Sequence, residues 1–193
     1  LTVTSGGSTT RDYPVIIQPC VLATRVNMAI DEGLWYLHKT MTRTSSGSVP
    51  IGYWGSGSAG SFYHSVWAAN VNAFEVNGFL ESGPAEDPYT ETASRGLKYL
   101  FALLSTSGIG LQTNGLGGFN PDSNGNGLGV RVSQGTEFYQ GGPFVDAIVA
   151  SGTPNAVALL GPANVAGRTY SAIVQDMVDY FAWGQYDAAG GGG

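Results

Sequence analysis

Apolar positions along the chain alternate between helical and loop-like regimes. Val26, Ile30, Leu34, Leu37 and Met41 recur at spacings of three and four, which predicts an amphipathic helix over about Thr24 to Met41. From about Ser65 to Leu80 the residues are small or aromatic (Trp67, Ala68, Ala69, Ala73, Phe74, Val76), as on an interior helix. Pro84 and Pro88 interrupt the chain. A third helix is expected over Tyr89 to Ser105, on Leu97, Leu100, Phe101 and Leu104. The fourth, Pro143 to Ser151, is short and starts with proline in the first turn, where a missing N–H is harmless. The fifth spans Thr169 to Trp183 on Ile173, Val174, Met177, Val178 and Phe181. Ser45 to Ser61 and Gly108 to Gly135 read as Gly-rich loops, the second long enough to be functional, mobile or a projection. At the front, Leu1-Thr2-Val3-Thr4 and Tyr13-Pro14-Val15-Ile16-Ile17 are β-prone around a turn at Ser5 to Ser8. Residues 1–19 therefore read as an extended arm or short hairpin, and residues 20–193 as a helical domain.

One phrase recurs inside the helices. Gly33-Leu34-Trp35-Tyr36-Leu37 returns as Gly96-Leu97-Lys98-Tyr99-Leu100, and more loosely as Met177-Val178-Asp179-Tyr180-Phe181. Tyr89 and Tyr170 each stand ten positions before the repeated tyrosine. Gly83-Pro84-Ala85 and Gly161-Pro162-Ala163 precede the second and third copies, and Phe62-Tyr63 matches Phe138-Tyr139. Such self-similarity is the mark of a copied supersecondary unit. The expected architecture is all-α: tandem helical-hairpin repeats, about two and a half hairpins, after a short extended N-terminal arm.

These phrases, with the Gly-rich, aromatic-bearing loops that follow them, resemble the helical hairpins of the (α/α) toroid proteins. That class includes squalene and terpene cyclases and protein prenyltransferase β-subunits. The likeness runs from about residue 24 to 186 and implies part of a toroid without its catalytic motifs. The cyclase acid motif is absent, the nearest acidic cluster being Glu86-Asp87 beside Pro88. Tyr53-Trp54 and Phe119 stand where a Gln-Trp loop motif would be, and no Asp, Cys and His set matches the prenyltransferase zinc ligands. The chain opens at Leu1 and closes on Gly190 to Gly193, so it reads as a segment of something longer. Either most of a ring lies outside it, or the unit closes against copies of itself.

Charge narrows the partners. Charged residues make up 11 % of the chain against about 25 % in ordinary domains, so the polar surface must come mainly from Ser, Thr, Asn, Gln and Gly. That composition points to an extracellular or cell-envelope setting. With a net charge of -6 and only Lys39 and Lys98 as lysines, there is no basic stripe for nucleic acid. No apolar run reaches the roughly 20 residues that span a bilayer, so membrane insertion is not expected. The single cysteine, Cys20, excludes an internal disulfide framework and is read as a small buried hydrophobe.

Several residues are candidates for chemistry. Asp122-x-Asn124-x-Asn126-Gly127 places oxygen ligands on alternate residues before a glycine, like the opening of a calcium loop. Its twelfth position is Ser133 rather than glutamate, and the same residues also build runs of Asx-turns. Asp146, between Phe144-Val145 and Ala147-Ile148-Val149, is expected to be desolvated, with Glu75 as its companion in a carboxylate pair for glycoside hydrolysis. Asp176 and Asp179 are expected on a solvated helix face. His38 and His64, the only histidines, have no nucleophile motif near them. Tyr53, Trp54, Tyr63 and Trp67 cluster in sequence and form either a carbohydrate platform or inter-repeat core.

The functional expectation is a non-catalytic helical repeat module acting by self-association or binding of a protein partner. The alternative is a carbohydrate-active or cyclase-like enzyme on a toroid scaffold, using Glu75 and Asp146. No cofactor is expected beyond calcium at the Asp122 loop.

Overall fold

The protein is described here by a computed structural model covering residues 2–5, 9–12, 19, 21–55, 64–114, 117–133 and 137–185. Tyr13 to Ile17, Cys20, Phe62 and Tyr63 lie outside the described residues. The chain divides into two compact units, Leu1–Tyr36 and Leu37–Gly193, with the boundary inside the first helix.

The first unit holds an antiparallel hairpin, β1 (Thr2–Ser5) with β2 (Thr9–Asp12), Thr2 opposite Asp12, and most of α1 (Leu22–Thr40). The front of the chain is thus a hairpin, its second strand at Thr9–Asp12.

The second unit corrects the all-α expectation. Both Gly-rich loops contain strands. The first holds β3 (Thr42–Ser46) and β4 (Val49–Tyr53), paired antiparallel with Thr42 opposite Tyr53 and Ser46 opposite Val49. Gly47-Ser48 is therefore a two-residue hairpin turn, a geometry in which glycine is favoured. All of β3 is exposed, so it lacks the apolar alternation that would reveal a strand, and only Ile51 and Gly52 of β4 are buried. The end of the expected third helix, with Leu104 and Ser105, is instead strand β5 (Leu104–Gly108), which pairs with β8 (Leu128–Val132) of the second loop, with β6 (Gln112–Asn114) and β7 (Gly117–Phe119) paired between them.

The remaining helices are α2 (His64–Glu75), α3 (Pro88–Ala102), α4 (Glu137–Ala150) and α5 (Tyr170–Trp183). The repeat in the sequence is therefore helix, β-hairpin, helix: α1, β3–β4, α2, then α3, β5–β8, α4, then α5. Local chemistry sets the ends. Asp87 caps α3 by accepting from Tyr89 N at 2.8 Å, with Pro88 at the start. Thr169 caps α5 through Ala172 N at 3.3 Å. α2 stops short of Leu80 because Gly78 adopts φ 89°, letting Phe79 N reach Phe74 O and Gly78 N reach Glu75 O. The rings of Phe74 and Phe79 both pack on Tyr89, the apolar contact that accompanies this ending. α4 starts earlier than expected, and Pro143 sits inside it rather than in its first turn.

Each hairpin is covered by the next helix of the following repeat. α3 packs on β4 and α2, and α5 packs on β8 and α4, while α2 and α4 pack on each other. Phe74, Leu97, Leu100, Phe101, Phe144, Ile148, Ile173 and Met177 are buried among these elements. Polar straps hold the layers. Arg43 binds Glu91 at 3.1 Å, and Arg95 donates to Thr44 O and Ile51 O at 3.1 and 3.3 Å, tying β3–β4 to α3. Trp54 Nε1 donates to Leu37 O and Trp67 Nε1 to Trp54 O, at 2.7 and 2.6 Å.

Candidate functional site

The repeated phrase is an interface. Tyr99 lies 5.1 Å from Tyr53 of β4 and 5.3 Å from Trp67 of α2, ring centre to ring centre. Tyr180, its counterpart on α5, stacks on Phe138 of α4 at 5.1 Å and fills the space over Gly129 of β8, where a Cβ would meet its ring at 2.8 Å. In both cases the tyrosine docks on the preceding hairpin and the helix after it. Trp54 and Trp67 are buried in that packing. Tyr53, Trp54 and Trp67 thus take part in the packing between repeats. Tyr53 is partly buried in the same stack, and Tyr63 is outside the described residues.

Gly96 shows how close the packing is. A Cβ there would stand 2.6 Å from Val71 Cγ2 of α2 and 3.4 Å from the Trp54 ring. Gly33 occupies the same place in the phrase on α1, and among the described residues a Cβ there would meet nothing within 4 Å. The helix around it is similarly open. Val26 is 48 % exposed and Ile30 39 %, and Leu22, Met28, Trp35 and Tyr36 are exposed as well. Of the predicted α1 stripe, only Leu34 and Met41 are fully buried.

The carboxylate candidates separate. Asp146 is exposed on α4, so the desolvation expected for it is not there. Glu75 is buried to 5 % exposure near the end of α2, and burial pushes its carboxyl up to about 8, assisted by the negative charge of Glu81. The charge that acts on Glu75 is thus Glu81 rather than Asp146. Glu81 in turn accepts from Thr153 Oγ1 at 3.0 Å and from Tyr170 Oη at 3.3 Å. Burial and these carboxylates hold the Tyr170 phenol well above its usual range. Tyr170 also lines an apolar cavity of about 220 Å³, together with Ile148, Val149, Pro154, Ser171 and Val174.

The Asp122 loop is used internally. Asp122 accepts from the backbone N–H groups of Gly125, Asn126 and Gly127 at 2.9, 3.2 and 2.7 Å. Asn124 and Asn126 accept from the N–H groups of Asn126 and Leu128, and their amides donate to Asp176 at 2.7 and 3.0 Å. Ser123 donates to Asp179 at 2.8 Å. The loop is a run of Asx-turns docked on α5. Asp176 and Asp179 are accordingly buried rather than solvated, and Arg168 balances Asp176 at 2.5 Å. The sequence signal for this was the match between an amide-rich loop and two acids a helical turn apart. Among the described residues, no three His, Cys, Asp or Glu side chains converge as a metal centre.

The histidines serve packing. Burial and Arg43, which binds its Nδ1 at 3.0 Å, hold His38 below its usual range. His64 is buried, stacked on Trp67 at 5.1 Å, and burial lowers its pKa too. Among the described residues, no helix is long and apolar enough to cross a membrane. No family model, no characterised protein and no solved structure matches this chain.

Proposed function

We propose that this chain is a non-catalytic, extracellular or envelope-associated repeat module that works by association through the open face of α1. The observation that carries this is the contrast between Gly96, locked against Val71 and Trp54, and Gly33, which faces empty space in the same phrase. A helix-interior glycine costs roughly 0.5–1 kcal/mol relative to alanine, so it is worth keeping where a neighbour must approach. Val26 and Ile30, on the same side of the helix as Gly33, are apolar and exposed, and covering each fully contributes about 1.5–3 kcal/mol. The surface that covers α3 consists of a β-hairpin and the helix after it. A unit of that type, on another copy or another repeat-bearing chain, is the partner α1 is shaped for.

Sedimentation at rising concentration tests the reading. Species heavier than the 20.0 kDa chain are expected, and Ile30→Asp should return them to monomer without loss of helical signal. A chain that stays monomeric to its solubility limit, with Ile30→Asp behaving identically, overturns it.

A further inference from the structure

A second place in the molecule calls for a ligand, independent of the α1 face. Both carboxylate oxygens of Glu75 are buried with no hydrogen-bond partner, on a side chain only 5 % exposed. A buried acceptor left unpaired is among the costlier defects a fold can carry, and native structures nearly always satisfy such groups. The charge that acts on it is another carboxylate, Glu81, which would repel rather than pair with it. Neither glutamate takes part in any of the described ion pairs. Glu75 is also the last residue of α2, six positions before Glu81 and on the other side of the turn at Gly78. The polar partners around Glu81 are all oxygens: Thr153 Oγ1 and Tyr170 Oη on its carboxylate, and Ser151 Oγ at 3.1 Å from Thr153 Oγ1.

We propose that Glu75 and Glu81 form a binding site for a hard divalent cation of calcium type, with Thr153 and Tyr170 as positioning residues that hold Glu81 toward it. An all-oxygen set without imidazole or thiolate selects hard cations over transition metals. Two carboxylates neutralise a double positive charge, and the ion supplies the partner that Glu75 lacks. Bound there, it joins the end of α2 and the turn after it to Thr153, beyond α4, and to the first residue of α5. The site is separate from the Asp122 loop, whose oxygens are already engaged by backbone N–H groups.

The test is calcium binding to the full chain after chelator treatment, by calorimetric titration, with thermal unfolding followed in parallel. One calcium per chain is expected, with a melting temperature that climbs with the logarithm of calcium concentration, as for any ligand selective for the folded state. Glu81→Gln, at a partly exposed position and therefore mild for folding, should weaken binding at least tenfold, and Glu75→Gln should do the same. Asp122→Asn should bind like the parent chain. Absence of calcium binding at millimolar concentration overturns the proposal and leaves Glu75 as a neutral, water-satisfied acid. Binding that survives both glutamine variants, or that disappears only in Asp122→Asn, also overturns it by moving the site to the loop.

Discussion

Glu75 is the residue whose surroundings set a measurable pH dependence. Burial, and after it the charge of Glu81, pushes its carboxyl up to about 8 in the folded protein, against an ordinary value of 4.5, and Tyr170 feels the charge of both glutamates. The folded state therefore holds a proton that the unfolded state releases between these values, and stability falls as pH rises through that window. The full-strength slope is about 1.4 kcal/mol per pH unit. Urea unfolding of chelated protein between pH 5 and 8 should show this decline, and Glu75→Gln should flatten it. Parallel profiles for the two proteins would contradict the assignment. Arg168 offers a second residue-scale test. Asp176 is fully buried and Arg168 is its only cationic partner among the described ion pairs, so Arg168→Ala leaves a charge uncompensated. Such a loss costs about 3 kcal/mol or more, tempered because Asn124 and Asn126 still donate to the carboxylate. Chemical denaturation reads it directly.

Among the elements, the two copies of the phrase make opposite predictions for the same substitution. Gly96→Ala forces a methyl against Val71 and Trp54, and overpacking of this kind costs about 1–3 kcal/mol. Gly33→Ala meets nothing and replaces a poor helix former with the best one, so the monomer should gain roughly 0.5–1 kcal/mol. Melting temperatures of the two variants should shift in opposite directions. Gly33→Ala should at the same time weaken association, because the methyl occupies the space a neighbour would use. Helix periodicity made all five helices legible to within a few residues at most ends. The hairpins were not legible. β3 is exposed throughout and β4 carries Pro50 and Gly52, so neither presents the alternating apolar face that marks a strand. Their pairing is held by Arg43 and Arg95 reaching from and to α3, contacts nearly fifty residues apart in sequence.

For the whole molecule, the repeat logic predicts where protection is missing. In the monomer, amide hydrogens in the first half of α1 should exchange faster than those of α3, which is covered by β4 and α2. Raising the concentration into the associated range should slow exchange in α1 and leave α3 unchanged. Uniform exchange across both helices at every concentration would count against association through this face. The candidate sites were legible only in pieces. Glu75 was recognisable as an acid among apolar neighbours, but Asp146, in an equally apolar stretch, turned outward. Flanking residues do not fix which side of a helix is buried; that depends on what packs there. Asp176 and Asp179 read as surface acids because their partners, Ser123, Asn124 and Asn126, lie some fifty residues away.

What the sequence alone determined is local and periodic. Helix positions follow from spacings of three and four, and the copied unit from Gly-Leu-x-Tyr-Leu, because each depends on residues within one or two turns. Only the tertiary structure decided that the loops between helices are β-hairpins and that the repeated tyrosine docks on the hairpin before it. It also decided that Gly33 stands open where Gly96 is enclosed, and that Glu81 rather than Asp146 is the charge acting on Glu75. Those outcomes depend on which distant surfaces meet, and burial, charge balance and close approach are properties of the pair rather than of either residue.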